Sequence, residues 1–308
     1  MSKIDRRPFL SSEDEMDPEF TDDLNVEVEE ASRIQNVPCR RKHSRVEVFS
    51  VHILSIRGSG HLYGIITATD GLNTHFLYNR TREESESFCP GNTVLLTGPA
   101  LSVSACGNFN IDVHLMDRDD YQSRGGVSSS DLMAWHYSRD RMPWNYSPGR
   151  IAWNYYEVGN VYDNPLYGIV ESEYCSVRVN YIVIKDAVQA TVKVMLIVPD
   201  TNTKETLNVS GLITAANHNG SYESVLFQKA SNEHIYGRPG KLIPLSRSVV
   251  AVPLNSALVI EADLCDAISS DVIAKGTAVF PSKLSGKSTK HIYGECSLNP
   301  SESDFYLR

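Results

Sequence analysis

Phe109-Asn110-Ile111-Asp112-Val113-His114-Leu115 decides the fold class. Apolar residues take every second place, which sets Phe109, Ile111, Val113 and Leu115 on one face of an extended chain. Such a strand buries one side and wets the other, the habit of antiparallel sheets. Asp112 and His114 then read as part of a solvated strand face. Val188-Gln189-Ala190-Thr191-Val192-Lys193-Val194 shows the same alternation, which recurs from Val46 to about Phe280. Breaks fall at Asp70-Gly71, Pro90-Gly91, Asn217 to Gly220 and Pro239-Gly240. No long stretch beyond Val46 carries a helical period. The chain reads as all-β.

The same stretch belongs to an internal match. Pro90 to Asp117 aligns without a gap on Pro239 to Asp266, 28 positions at an offset of 149. Pro90-Gly91 meets Pro239-Gly240, Ile111-Asp112 meets Ile260-Glu261, and Asp117 meets Asp266. Upstream, Gly64-Ile65-Ile66-Thr67-Ala68 meets Gly211-Leu212-Ile213-Thr214-Ala215 at an offset of 147. The reading is two tandem, internally repeated β-sandwich-like modules, 46–172 and 173–308. The period is too long for a propeller or solenoid. The first module carries a polar and aromatic insertion over 119–149, where the second has only Ala267 to Asp271. Long loops on compact domains often carry function. Trp135, Tyr137, Arg139, Arg141, Trp144 and Tyr146 are residue types that suit a contact surface.

Residues 1–35 hold eleven acidic and four basic residues with little apolar material among them, so 1–45 reads as a disordered acidic arm. Its basic end, Arg40-Arg41-Lys42 and Arg45, offsets much of that charge. The whole chain of 308 residues has a net charge of −9, a poor match for nucleic acid or an anionic membrane. No apolar run is long enough to span a bilayer, and Met1 to Leu10 lack the apolar core of a secretory signal. The expected compartment is therefore cytoplasmic, with a nuclear location left open.

Chemistry-bearing motifs are sparse. The six cysteines, Cys39, Cys89, Cys106, Cys175, Cys265 and Cys296, form no C-x-x-C pair and read as free thiols. The nine histidines form no H-E-x-x-H. There is no G-x-S-x-G elbow and no phosphate-binding G-x-x-x-x-G-K-[ST]. Gly58-Ser59-Gly60 reads as a hairpin turn. Glu30-Ala31-Ser32-Arg33 echoes the Glu–Arg pair of N-glycosidases, but it lies in the acidic arm.

Two stretches resemble C2 sandwiches. Leu258 to Asp266, followed by Ser269 to Gly276, looks like a strand, an acidic loop and a strand start. Asp117-Arg118-Asp119 is an Asp-x-Asp where C2 domains place calcium ligands. With Asp120 it makes Asp117, Asp119 and Asp120 the candidate metal residues, although calcium needs six to eight oxygens. The loop from Ile56 to His61 supplies no carboxylate, and Asp266 is followed by Ala267-Ile268.

A second resemblance covers roughly 46 to 283. Val46-Glu47-Val48-Phe49-Ser50-Val51, Tyr63-Gly64-Ile65-Ile66, Phe76-Leu77-Tyr78-Asn79-Arg80 and Leu95-Leu96-Thr97-Gly98-Pro99 resemble a grass (cereal) domain-of-unknown-function family, DUF6598-like. Pro239 to Leu254 resembles it again. The resemblance implies a plant source, and some members are joined to jasmonate-induced ribosome-inactivating proteins. It assigns no chemistry.

Together these features read as a non-catalytic protein-binding module, stress- or defence-related, with an unidentified protein partner and no cofactor. The alternatives are a C2-like lipid- or calcium-binding module and an rRNA N-glycosidase-associated protein without catalysis of its own.

Overall fold

The computed structural model describes residues 44–71, 73–119, 149–154, 161–197, 206–284 and 286–292, together with the backbone of 306–307. The acidic arm and most of the insertion lie outside them. Among the described residues the regular structure is β, with a single three-residue 3-10 turn at Ser231–Glu233 and no α-helix. None of their helices could cross a membrane.

The first half contains β1 (Arg45–Ile56), β2 (His61–Thr69), β3 (Thr74–Arg80), β4 (Glu86–Ser87), β5 (Val103–Ser104), β6 (Phe109–Asp117), β7 (Arg150–Trp153), β8 (Pro165–Glu171) and β9 (Cys175–Ile184). They form two sheets, β5-β1-β9-β8 and β3-β2-β6-β7, with β4 on β2. Phe109, Ile111, Val113 and Leu115 all face the core between the sheets, as their alternation requires.

The second half contains β10 (Ala187–Thr191), β11 (Leu196–Ile197), β12 (Leu207–Asn217), β13 (Glu223–Lys229), β14 (Ile235–Gly237), β15 (Val249–Pro253), β16 (Ala257–Asp266), β17 (Val272–Pro281) and β18 (Tyr306–Leu307). One layer is β13-β12-β16-β17 with β14 on β12; the other comprises the pairs β10-β15 and β11-β18. Val188, Ala190, Val192 and Val194 lie in a second core of their own.

Three sequence expectations need correction. Cys175–Ile184, assigned above to the second module, runs antiparallel to β1, and Val177, Val179 and Val183 lie in the first core. The first sandwich therefore closes at Ile184, not at 172. Alternation marks a strand but does not say which sheet receives it. Gly58-Ser59-Gly60 is not a hairpin turn either, because β1 and β2 belong to different sheets. Asp112 is not solvated: it is 1% exposed and paired with Arg150.

Positions that match in the sequence make matching bonds. The Gly91 and Gly240 N–H groups donate to the Ile53 and Leu196 carbonyls, both at 2.8 Å. Val94 donates to Val51 and Ile243 to Val194, again both at 2.8 Å. Gly64 and Gly211 have φ of 126° and 122°, and a Cβ on either would lie 2.1 Å from a neighbouring carbonyl oxygen, of His114 or Asp263. Only glycine fits there.

The halves meet through a third, smaller cluster of Phe49, Ile182, Ile184, Ala187, Tyr222 and Ala251. Its polar contacts are reciprocal. Glu47 on β1 accepts the Ala251 N–H at 2.8 Å, while Gln189 on β10 accepts the Ser102 N–H at 2.9 Å. Ser102 and Ala251 are 149 residues apart, and the registers Val46↔Val103 and Val188↔Val252 make Glu47 and Gln189 counterparts. This is the pattern of an isologous interface, in which each side gives the other the same contact. The reciprocity is incomplete: buried Arg247 pairs with Glu47 and donates to the Val48 carbonyl at 2.8 Å, and the Ser224 hydroxyl donates to Glu47 at 2.7 Å.

Candidate functional site

The insertion leaves the first sandwich at Asp117, on the end of β6, and returns at Gly149, before β7. Asp117 is 3% exposed. Its carboxylate accepts the Ser59 hydroxyl at 2.9 and 3.2 Å, the Gly60 N–H at 3.1 Å and the Asp119 N–H at 2.8 Å. Gly58 must be glycine here, since its φ is 135° and a Cβ would stand 2.5 Å from an Asp117 oxygen. Both oxygens are thus committed to holding the β1–β2 connection against the end of β6.

Asp266 does the same work in the second half. It accepts the N–H groups of Ile268 at 2.9 Å, Ser269 at 3.1 Å and Asn208 at 3.4 Å. That half has no Asp-x-Asp, so the aspartate at this position has a structural role independent of any ion. Asp119 is exposed, and the nearby Ser59 hydroxyl, together with a bond from Arg118 at 3.1 Å, holds its carboxyl below the usual range. Asp120 lies outside the described residues. Among those described, no three His, Cys, Asp or Glu side chains are placed to hold a metal ion.

The returning end is braced by an ion pair between half-buried Arg150 and buried Asp112. Arg150 donates to Asp112 at 2.7 and 3.2 Å, a bidentate contact, and the Gly149 carbonyl accepts the Val113 N–H at 2.8 Å. In the second half the corresponding ladder pair is Glu261 with Thr277, and the connection is a tight turn closed by Ser270 N–H to the Asp266 carbonyl at 2.8 Å. The sandwich is complete without an insertion, which makes the one in the first half additional to the fold. The candidate contact residues Trp135, Tyr137, Arg139, Arg141, Trp144 and Tyr146 lie outside the described residues.

Another buried acid, Asp70, also has a structural explanation. It pairs with His75 at 3.2 Å and accepts the Asn73 and Ser104 N–H groups at 2.8 and 2.9 Å. Asn217, its match in the second half, closes the equivalent turn by accepting the Ser221 N–H at 2.8 Å.

The chain matches the model of a domain of unknown function, DUF6598, over residues 45–301. It belongs to that family. The DUF6598 match begins at β1 and takes in both sandwiches, leaving the acidic arm outside. Among curated proteins none matches this DUF6598 chain. One solved structure similar to it is that of two C2 domains of extended synaptotagmin 2, at 9% identity over 98% of this chain and 95% of that one. The TM-score is 0.23, too low to carry an argument about fold or function.

Proposed function

We infer that the protein is a non-catalytic, cytoplasmic binding module whose first sandwich presents the 119–149 insertion to a protein partner. One observation carries this reading: the insertion is additional to the sandwich, yet both of its roots are held by buried carboxylates. Asp117 fixes the departing strand and Asp112 clamps Arg150 on the returning one. A long connection on a rigid frame is the usual way binding residues are displayed. Trp, Tyr and Arg are the residue types that most often dominate contact energy. The grass-family resemblance adds a stress- or defence-related setting.

The test uses the protein's own short connection. Residues 118–149 are replaced by Ala267-Ile268-Ser269-Ser270-Asp271, and capture of partners by the full chain is compared with the wild type. Loss of specific partners with an unchanged melting temperature supports the reading. An equally stable chain that keeps its partners rejects it.

A further inference from the structure

The outer face of the β5-β1-β9-β8 sheet holds a polar chain drawn from three distant segments. Asn180 Nδ2 donates to Ser50 Oγ at 2.9 Å, Ser50 Oγ lies 3.1 Å from His52 Nε2, and His52 Nδ1 lies 2.9 Å from Thr93 Oγ1. The ladder extends this into two rows, Ser50–Asn180–Tyr167 and His52–Arg178–Ile169. Residues opposite one another in an antiparallel pair share a face, so these six side chains emerge together. Arg178 is exposed, and its charge reaches His52, whose pKa is held down by partial burial and by that guanidinium. Among the described residues no carboxylate bonds Ser50, His52, Thr93, Arg178 or Asn180. Glu171 stands opposite Ser176, one outward row further along.

The second half shows that the fold does not demand these groups. The bridge between His52 and Thr93 is matched by one between Met195 and Leu242. The backbone bonds around both bridges are the same. Methionine and leucine do the structural work there, so the polarity at His52 and Thr93 is left for another purpose.

We propose that this face is an anion site for a phosphate monoester, with the ester's organic part lying on Tyr167 and Ile169. The planar Arg178 fork matches phosphate oxygens; neutral His52 accepts from one of its two hydroxyl neighbours and donates to the other, so one of the Ser50 and Thr93 hydroxyls, with the second Asn180 amide hydrogen, remains as a neutral donor. Tyr167 and Ile169 are 68% and 56% exposed, an apolar edge beside the donors on a chain whose net charge is −9. The phosphate belongs either to a free ester or to a lipid headgroup. None of these residues belongs to the insertion, and replacing residues 118–149 should leave the site intact.

The test titrates the full-length protein with inorganic phosphate, phenyl phosphate and vesicles containing phosphatidic acid, followed by calorimetry and histidine ring-proton NMR. The ring signal missing from the His52→Met spectrum identifies His52. Phenyl phosphate is expected to bind saturably, more tightly than inorganic phosphate, and to move that signal. Arg178→Ala should weaken binding about tenfold or more. His52→Met/Thr93→Leu installs the pair already accommodated in the second half, and should abolish binding without lowering the melting temperature. Vesicle binding lost in the same variants assigns the lipid source; phenyl phosphate binding without vesicle binding assigns the free ester. No saturable binding of any probe at millimolar concentration, or binding that survives both variants, overturns the proposal.

Discussion

Breaking the ion pair between the sandwiches should cost more than any surface change. Glu47 and Arg247 are each 3% exposed. The carboxylate accepts Arg247, the Ser224 hydroxyl at 2.7 Å and the Ala251 N–H at 2.8 Å. Glu47→Gln keeps the shape and one acceptor oxygen but removes the charge. Arg247 then stays buried without its counter-charge, bonded to the Val48 carbonyl and competing with Ser224 and Ala251 for the single glutamine oxygen. An uncompensated buried charge costs about 3–5 kcal/mol, so the expected loss is about 3 kcal/mol. Arg247→Met strands the carboxylate instead, with Ser224 and Ala251 still donating, at a loss of about 3 kcal/mol by the same rule. The double variant leaves a neutral glutamine at Glu47's position, as Gln189 stands at the reciprocal contact. Its loss should be about 1–2 kcal/mol, well below the sum. Equilibrium urea unfolding of the wild type and the three variants measures this. Single losses below about 1 kcal/mol, or a double variant equal to the sum, would refute the assignment of the pair to the junction.

Asp117→Ala and Asp266→Ala should destabilise the chain by similar amounts, about 1–3 kcal/mol each, since both leave buried N–H groups without acceptors. Thermal unfolding with and without calcium checks this. A calcium-dependent rise in melting temperature that Asp117→Ala removes would show that the carboxylate has a second, ionic role. Gly64→Ala and Gly211→Ala should each lower stability by more than about 2 kcal/mol, because the added Cβ meets backbone and the φ is strained as well; a smaller loss in denaturant titration counts against the close approach. Burial pushes the phenols of Tyr78, Tyr181 and Tyr222 up, with Glu86 adding to the rise at Tyr78 and Glu47 at Tyr222. A phenol whose folded pKa exceeds its unfolded one contributes stability that is whole below about pH 10 and is lost as pH rises beyond it. Absorbance titration of the fifteen tyrosines should therefore show a late-ionising set that includes these three, together with alkaline unfolding. Ordinary titration of all fifteen would contradict their burial.

Local alternation was enough to read the strands. Phe109 to Leu115 states its own buried face, and the turn residues around Pro90-Gly91 and Pro239-Gly240 punctuate both halves alike. Partners across the chain were not legible. Cys175–Ile184 alternates like any strand, and nothing in it says that it lies against β1, about 125 residues upstream. Asp112 looked like an ordinary polar position because Arg150, its partner, stands beyond the insertion. The polar chain on the outer sheet was hidden for the same reason. Ser50 and His52, Thr93 and Asn180 each occupy an unremarkable polar position in a separate segment. The internal match already sets Thr93 against Leu242, and extending it back to β1 sets His52 against Met195, a polar-for-apolar exchange that marks the place. The Asp-x-Asp at Asp117 was visible but ambiguous, since a loop brace and an ion ligand require the same residue type.

If binding belongs to the first sandwich, variants placed on the two sandwiches should separate cleanly. The measurement is quantitative affinity capture with three full-length variants: the 118–149 replacement, His52→Met/Thr93→Leu, and Tyr236→Ser/Ile268→Ser on exposed side chains of the second sandwich. The first is expected to lose protein partners, the second to lose phosphate-bearing ligands, and the third to keep both. Retention by the first two with loss in the third would contradict it.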